Sequence, residues 1–404
     1  MTTPEQRPPG KEPPPRFAAD GPDAERYGAQ AGYPMGDRKT YLDIGSLVGS
    51  HSHMDELFES RLVRKAPVAS RLGRVAEPPI TWRWQSIDLT LDDYLARRAT
   101  TGLLVARGDT ILVERYQYGR TDRHRFISFS MSKTVTAMLV GIAVEERAIR
   151  SIDDPAATYV SELDGTEYGR TSIRDLLQMS SGVRFSEDYG GVDDFARLRE
   201  STFRLNGPGG VSAVLPFNER DVPAGTRFAY SSAETQVLGL VLTRATGRMV
   251  ADYLEQKIWQ PMGAEADATW LIDNAGQEAT FGGLNAVLRD YARFGLMLAH
   301  DGHWNARQII PAPWVMDATT VRPDQPHLRP GVATPIFGYG YQTWIVPVER
   351  RMFLLWGVRG QRIMVDPRSK LIMVNTSVHE QPMDIPALEE MWAVWWAFVK
   401  RFGA

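Results

Sequence analysis

Strand-like segments lie toward both ends of this chain, and that distribution constrains the fold more than any other feature of the sequence. Residues 103–106 and 110–116 are β-prone runs separated by Gly108-Asp109, a typical hairpin turn. Further β-prone runs occupy residues 340–346, 352–356, 361–365 and 371–376. Residues 145–300 between them show mainly helical patterns broken by Gly and Pro. We therefore predict an α/β (α+β) fold, with a central antiparallel sheet flanked by helices and an inserted, mainly helical lobe.

The N-terminal residues differ in composition from the rest of the chain. Residues 1–36 contain Pro8-Pro9-Gly10 and Pro13-Pro14-Pro15 and no apolar run, which predicts a flexible Pro-rich arm. Residues 37–400 are predicted to form a single domain, with a sheet lobe at about residues 90–145 and 300–404 and a helical lobe at about residues 146–299. A C-terminal helix is predicted to turn five apolar residues toward the body of the protein: Leu388, Trp392, Trp395, Trp396 and Val399.

Composition excludes several classes of function. The 404 residues include 46 Lys and Arg against 49 Asp and Glu, so the net charge of −3 offers no basic field for nucleic acid or an anionic membrane. The lack of cysteine excludes disulfides, thiol catalysis and thiolate metal sites. The seven histidines form no HExxH motif, and we expect neither a metal nor another cofactor. No apolar run is long enough for a signal peptide or a membrane span, which predicts a soluble, cytoplasmic protein and leaves a homodimer open.

Ser130 and Lys133 are the first candidate catalytic residues. They precede a helical apolar pattern, and residues at i and i+3 share a helix face, so the Lys133 ammonium can reach the Ser130 hydroxyl. A serine in the first turn also lies beside free backbone N–H groups and the positive end of the helix dipole. Such a serine suits a nucleophile whose proton is taken by a lysine of lowered pKa. Alone, the motif is equally consistent with a plain N-cap serine.

Two later segments add candidates. Tyr230 precedes a helix that begins near Glu234, and a phenol near a Ser–Lys pair can relay protons to a leaving group. By itself, Tyr230 is equally consistent with a half-buried tyrosine that closes a loop. Residues 355–361 read as a strand that reaches glycines, and glycine lets a ligand approach the backbone closely, as a second oxyanion donor requires. The alternative for this segment is a β-bulge or a turn.

In order and spacing, these segments resemble the three motifs of the serine β-lactamase and penicillin-binding-protein superfamily: Ser-x-x-Lys, Tyr-x-Asn/Ser and a Lys/His-Thr-Gly-type strand. Residues 173–182 are similar to its LLxHTSG stretch, and residues 281–295 to its GGL…xDLARFG stretch. The resemblance covers about residues 95–400 and implies a class C-like fold. It implies these roles: Ser130 as nucleophile, Lys133 as general base, Tyr230 as proton relay, and the N–H groups of Ser130 and Val358 as the oxyanion hole.

Within that superfamily the chain most resembles 6-aminohexanoate-dimer (nylon oligomer) hydrolase and the family VIII carboxylesterases. Residues 185–189 are similar to the hydrolase segment whose tyrosine contacts the substrate amide, which implies that role for Tyr189. Residues 357–361 are similar to its oxyanion strand. The motif positions also imply substrate contacts at Ser232, Trp356 and Gly357.

The chain departs from penicillin-recognising enzymes at two motifs. Leu355-Trp356 replaces the Lys or His that holds the β-lactam carboxylate, so anionic antibiotics lose a charge-assisted anchor. Ser232 stands where many relatives have Asn. Arg359 could supply a cation, but alternation along a strand would place its side chain opposite that of Val358.

The sequence therefore predicts a serine hydrolase that acts through an acyl-enzyme on a carboxylic ester or a short linear amide. Its expected partner is a small molecule, not nucleic acid or a membrane. The alternatives among enzymes are a β-lactamase and a D-aminopeptidase or DD-peptidase-like enzyme. From a different class, the alternative is an inactive homologue that acts as a binding protein. The presence of Ser130, Lys133 and Tyr230 together favours an active enzyme.

Overall fold

The computed structural model of the protein describes residues 12–203 and 207–403. Its strands are β1 (Arg16–Phe17), β2 (Ser60–Val63), β3 (Gly73–Arg74), β4 (Thr81–Trp84), β5 (Ile87–Thr90), β6 (Thr100–Arg107), β7 (Thr110–Tyr116), β8 (Arg125–Ile127), β9 (Ala268–Leu271), β10 (Leu284–Val287), β11 (His303–Trp304), β12 (Arg307–Gln308), β13 (Gly338–Tyr339), β14 (Trp344–Ile345), β15 (Phe353–Gly357), β16 (Gln361–Asp366) and β17 (Leu371–Ser377). Its α-helices are α1 (Leu47–Ser52), α2 (Met54–Leu57), α3 (Leu91–Arg97), α4 (Met131–Glu145), α5 (Glu167–Arg170), α6 (Ile173–Leu177), α7 (Asp194–Phe203), α8 (Ser232–Thr246), α9 (Val250–Leu254), α10 (Leu288–Ala299), α11 (Ala312–Ala318) and α12 (Ile385–Phe402).

Strands from both ends of the chain form one large sheet, as predicted. Its order is β1-β7-β6-β17-β16-β15-β14-β13, and β3 also pairs with β7. The predicted hairpin is the antiparallel pair β6–β7, and β17 pairs antiparallel with β6. The pairs from β13 to β7 are all antiparallel, whereas the short strands β1 and β3 pair parallel with β7. The α/β fold with a central sheet and flanking helices is confirmed.

The region predicted as a helical lobe contains strands as well as helices. Its strands β9 and β10 belong to a second, four-stranded sheet of order β2-β9-β10-β8. Helix α10 packs on the large sheet against β16 and β17, where an added Cβ on Gly295 would lie 2.8 Å from Ile363 Cγ2. Residues 340–346 are not one strand, because a tight turn in which Gln342 adopts a φ of 51° separates β13 from β14.

Residues 12–36 differ from the predicted flexible arm, and residues 1–11 of that arm lie outside the described residues. Strand β1 pairs with β7, and the buried rings of Tyr27 and Tyr33 pack edge-on against Tyr118 with centroid distances of 5.5 and 5.6 Å. The Tyr118 hydroxyl also donates to the Pro22 carbonyl at 2.7 Å. Two isolated tyrosines anchor this segment, which explains why the absence of an apolar run was misleading.

Helix α12 packs on the large sheet, and three of the five predicted residues contribute to that packing: Trp395 is buried, and Trp392 and Val399 are partly buried against the same cluster. Trp395 is fully buried, together with Met391, Val394 and Phe398. Trp396, which the sequence analysis turned inward, is 38% exposed. The buried positions follow the spacing of three and four from residue 391, and Trp396 falls outside that stripe. No helix in the described part of the chain is both long and apolar enough to cross a membrane.

Helix α4 is buried around most of its circumference and places Ser130 at its N-terminal end. It contacts α8, α11 and β15. At Gly141 the indole of Trp314 lies so close that an added Cβ would come within 2.3 Å of its Cδ1 atom. The Trp314 Nε1–H donates to the Ala137 carbonyl at 3.0 Å, which holds the ring against the helix.

We expect Gly141→Ala to lower the free energy of unfolding, although alanine favours helices over glycine by about 1 kcal/mol. Overpacking typically costs about 1–3 kcal/mol and should outweigh that gain. Gly45→Ala is the matched control, because its nearest neighbour would be the Arg26 carbonyl oxygen at 3.9 Å. Chemical denaturation of both variants checks this, and a stabilised Gly141→Ala protein would contradict the packing of Trp314 on α4.

Candidate active site

Ser130 immediately precedes α4, and its hydroxyl is turned toward Lys133. The Lys133 ammonium donates to Ser130 Oγ at 2.9 Å, across the i to i+3 spacing that the sequence indicated. The Ser130 side chain makes no N-cap hydrogen bond, so the structure gives no support to the plain N-cap interpretation. Phe129, just before it, has a left-handed φ of 42°, a conformation that costs free energy and often marks functional turns.

Lys133 is a buried cation with three hydrogen-bond acceptors. Besides Ser130, its ammonium donates to Ser232 Oγ at 2.9 Å and to the Phe281 carbonyl at 3.0 Å, and the residue is 1% exposed. Burial lowers the pKa of Lys133 from 10.5 to about 8, while the negative charge of Glu187 acts to raise it. A pKa of about 8 leaves about a tenth of the lysine neutral at pH 7 and thus able to accept a proton.

Glu187 is a site residue to which the sequence analysis assigned no role. Its carboxylate accepts from the Ser232 backbone N–H at 2.8 Å, from the Ser232 hydroxyl at 2.9 Å and from the Tyr189 hydroxyl at 3.1 Å. Desolvation raises the pKa of this carboxyl, and the charge of Lys133 opposes that effect. Ser232 therefore lies between the Lys133 ammonium and the Glu187 carboxylate. Glu187 belongs to the segment 185–189 that supported the family resemblance, but the sequence does not show which of its side chains turns inward.

Ser232 does not have the predicted position of a substrate contact. Its side chain is fully buried, and its hydroxyl both accepts from Lys133 and donates to Glu187. The residue at this motif position thus holds the lysine and the glutamate together.

Tyr230 lies over the same lysine. The Lys133 ammonium is 4.9 Å from the centroid of the Tyr230 ring, which stacks on Trp344 at 5.5 Å. Desolvation first and then the charge of Glu187 hold the pKa of Tyr230 well above its ordinary value, although a side-chain hydrogen bond with Ser130 and the charge of Arg362 oppose this. The phenol therefore carries its proton at neutral pH.

Gly357 and Val358 follow one another at the end of β15, beside the turn that leads to Ser130. A Cβ on Gly357 would come within 2.3 Å of the Ser128 carbonyl oxygen, so only glycine permits this approach of β15. The sequence analysis expected a ligand to approach Gly357, but it is the protein's own backbone that does so. Val358 and Ser130 line one cavity, and N–H groups that start a helical turn lack intrahelical partners.

Ser130 lines a small cavity of about 60 Å³, and a second cavity of about 140 Å³ shares Val358 and Phe129 with it. Tyr189 lines both, with a left-handed φ of 64°, and its contact with a substrate stays a prediction. Aromatic rings dominate the walls of the smaller cavity: Tyr41, Phe58, Phe129, Tyr189, Phe195, Phe203 and Phe281. The arrangement offers an apolar group a place next to the nucleophile.

Trp356 is not a wall of either cavity in the part of the chain that the structure describes. Its ring packs between Trp344 and Phe337, with centroid distances of 5.3 and 5.5 Å, and lies 4.1 Å from the guanidinium carbon of Arg362. Trp356 therefore packs away from these two cavities, and its contact with a substrate stays a prediction. The side chains of a strand alternate between its faces, and Trp356 lies on the α12 face.

Arg359 also differs from the expectation of strand alternation. The strand β15 ends at Gly357, and Arg359 occupies a turn with a left-handed φ of 58°. Its guanidinium donates to the His379 carbonyl at 2.9 Å, and the residue lines the larger cavity together with Arg199. Positive charge thus lies near the cavity, but at the turn and on α7 and not at the motif position of the β-lactam-binding cation. Over residues 12–203 and 207–403, no cluster of three or more His, Asp and Glu residues has the arrangement of a metal site.

Two kinds of hydrolase are among the known proteins to which this chain is similar. A 6-aminohexanoate-dimer hydrolase of Paenarthrobacter ureafaciens is 29% identical over 301 residues, which cover 72% of this chain and 76% of that protein. A solved structure described as "Putative 6-aminohexanoate-dimer hydrolase from Bacillus anthracis" is 25% identical, with a TM-score of 0.80 over 89% of this chain and 96% of that one. A family VIII carboxylesterase, 16% identical, shares the fold with a TM-score of 0.55 over 74% of this chain and 93% of its own.

The model of the family described as Beta-lactamase matches residues 87–388, a span that includes Ser130, Lys133, Tyr230 and Val358. This match extends over more than half of the chain. The chain therefore belongs to the Beta-lactamase family.

Proposed function

We propose that the protein is a serine hydrolase that acts through an acyl-enzyme on a carboxylic ester or a short linear amide. The observation that carries the proposal is the 2.9 Å hydrogen bond between Ser130 and a buried lysine whose pKa is lowered to about 8. A serine hydroxyl is a weak nucleophile until a base takes its proton, and this lysine is held in place to do so.

The proposed mechanism uses each of the three side chains in turn. Neutral Lys133 takes the Ser130 proton while Oγ attacks the substrate carbonyl, and the N–H groups of Ser130 and Val358 stabilise the resulting oxyanion. The tetrahedral intermediate collapses as Tyr230 gives its proton to the leaving alcohol or amine and regains one from the Lys133 ammonium. Neutral Lys133 then deprotonates a water molecule that attacks the acyl-enzyme, and the Lys133 ammonium gives a proton to Ser130 Oγ as the acyl bond breaks and the acid leaves.

The proposed substrate has an apolar group next to the scissile carbonyl. Aromatic residues form half of the lining of the smaller cavity beside Ser130, and Tyr189 in that lining is the proposed contact with the substrate. Relatives named as 6-aminohexanoate-dimer hydrolase and carboxylesterase support an ester or a linear amide. Leu355, at the position of the β-lactam-binding cation, is a fully buried core residue and cannot hold a carboxylate.

Three alternatives remain as outcomes of experiment. A β-lactamase or a D-aminopeptidase-like enzyme would use the same Ser130 and Lys133, and would differ in its preferred substrate. An inactive binding protein would lack turnover altogether. The third is disfavoured because Lys133 keeps an unfavourable buried charge that a binding protein does not need.

Replacing Ser130 with alanine should abolish ester hydrolysis and leave the protein folded, because the hydroxyl caps no helix. Hydrolysis of p-nitrophenyl butyrate and covalent labelling by a fluorophosphonate are measured on both proteins. Ser201→Ala serves as the control, since it removes a buried hydroxyl that lacks a hydrogen-bond partner. Activity above trace level in the Ser130→Ala protein would refute the nucleophile assignment.

The pH dependence of kcat/KM should report the protonation of Lys133. Only the neutral lysine is a base, so the rate should rise from pH 6 and level off above about pH 8. Glu187→Gln removes the negative charge that raises the pKa of Lys133, and the rise should move to lower pH. Asp188→Asn is the matched control, because the Asp188 carboxylate accepts from Gly190 and not from the lysine network. An unshifted profile in Glu187→Gln would contradict this coupling.

Esters should be better substrates than β-lactams. A charge-assisted hydrogen bond contributes roughly 1.5–3 kcal/mol, or about one to two orders of magnitude in affinity, and Leu355-Trp356 cannot make it. We therefore expect kcat/KM for p-nitrophenyl acetate or butyrate to exceed that for nitrocefin and benzylpenicillin. Because Arg359 and Arg199 line the larger cavity, Arg359→Gln is tested in parallel. Equal or faster β-lactam turnover by the unmodified protein would restore the β-lactamase alternative.

A further inference from the structure

Arg362 is a buried cation that has no role in the proposed mechanism. It lies on β16 opposite Trp356 of β15 and is 3% exposed. Within the described residues no carboxylate forms an ion pair with it, and its Nε atom has no hydrogen-bond partner. Burying an uncompensated charge is expensive, and an apolar side chain would fill the space beside Trp356 more favourably. Packing alone therefore does not explain why a positively charged side chain is buried at this position.

The guanidinium of Arg362 is bound to backbone carbonyl groups. One of its terminal nitrogens donates to the Gly357 carbonyl oxygen and also to the Gln361 carbonyl oxygen, the latter at 2.7 Å. Its central carbon lies 4.1 Å from the Trp356 ring centroid, so the ring fixes the plane of the cation from one side. The guanidinium thus has a defined direction toward Gly357.

The Gly357 carbonyl and the Val358 N–H belong to one peptide group. A hydrogen bond to the oxygen of a peptide polarises the whole group and makes its N–H a stronger donor, by perhaps 10–30% per bond in condensed phase. A charged donor forms a hydrogen bond about twice as strong as a neutral one. Arg362 therefore acts on the peptide whose N–H is the second oxyanion donor of the proposed mechanism.

We propose that Arg362 is a positioning residue of the oxyanion hole, which orients and polarises the Gly357–Val358 peptide so that its N–H binds the developing oxyanion more strongly. The proposal rests on the proposed function. It concerns a residue that touches no reacting atom and acts only through the peptide. An interaction of this kind stabilises the transition state more than the bound ester, because the negative charge on the oxygen develops during the reaction.

The test compares Arg362→Lys, Arg362→Gln and Arg362→Met, with kcat and KM measured for p-nitrophenyl butyrate. The p-nitrophenolate leaves without being protonated, so this substrate removes any effect of Arg362 through Tyr230, on which its charge also acts. Losing an entire oxyanion donor costs about 10²–10³ in kcat. Weakening the donor in Arg362→Met should therefore lower kcat by about tenfold with KM nearly unchanged. Lysine, which keeps the charge, should restore most of the rate, and glutamine, a neutral donor, should lie between.

Arg120→Met is the matched control for the loss of a buried arginine. Arg120 is 7% exposed, donates to the Tyr118 carbonyl at 3.1 Å, and lies over the Tyr33 ring, and it makes no hydrogen bond to the Gly357–Val358 peptide. The Arg120→Met protein should have a lower melting temperature than the unmodified protein and an unchanged kcat. Equal kcat in the unmodified protein and the folded Arg362 variants would overturn the proposal, and so would a matching fall of kcat in Arg120→Met.

Two further comparisons keep the test decisive. If Arg362→Met does not fold, the comparison of Arg362→Lys with Arg362→Gln tests the proposal. A lower kcat in Arg362→Gln than in Arg362→Lys, at similar KM, supports the proposal, and equal kcat in these two variants overturns it. Ser130→Ala in the same assay separates a failure of the proposed function from a failure of the role proposed for Arg362. Activity that survives in Ser130→Ala contradicts the proposed function, whereas its loss there together with unchanged Arg362 variants contradicts only the role of Arg362.

Discussion

The burial of the Lys133 ammonium is the interaction on which the site depends. Removing an ion from water costs several kcal/mol even after relaxation, and here three hydrogen bonds and the nearby Glu187 carboxylate offset that cost. The same cost lowers the pKa of the lysine to about 8. Stability and reactivity are therefore opposed at one atom. A more exposed lysine would destabilise the folded protein less. Its pKa would be higher, so it would be a poorer base at neutral pH.

The geometry of the backbone around Ser130 depends on residues with little side-chain chemistry of their own. Phe129 adopts a left-handed conformation, and Gly357 lies against the Ser128 carbonyl, so the end of β15 meets the beginning of α4 with no side chain between them. This contact joins a strand of the large sheet to the first turn of a buried helix. It explains why the two proposed oxyanion donors, 228 residues apart in sequence (358 − 130), line one cavity.

The parts of the fold that the sequence predicted correctly are those with a periodic or local signal. The hairpin β6–β7, helix α4 and the strands β15 to β17 each have alternation, a three-and-four spacing or a turn residue. The Ser130–Lys133 contact follows from helix geometry alone. The inward turn of Glu187 follows from tertiary packing and has no sequence signal, whereas the exposure of Trp396 follows from the helical spacing of the buried residues 391, 394, 395 and 398. The ordered segment 12–36 was missed because isolated tyrosines anchor it.

The wall of the site cavity has two different origins along the chain. Ser130, Tyr189 and Val358 lie within residues 87–388, which match the family, whereas Tyr41 and Phe58 lie before that span and line the same cavity. Phe58 is held edge-on against Tyr41 at 5.3 Å and in contact with Phe203 at 5.2 Å, so the early segment forms part of the cavity wall. The chemistry of the site is therefore built by residues that the family model spans. The shape offered to an apolar acyl group depends equally on a segment that the model does not span.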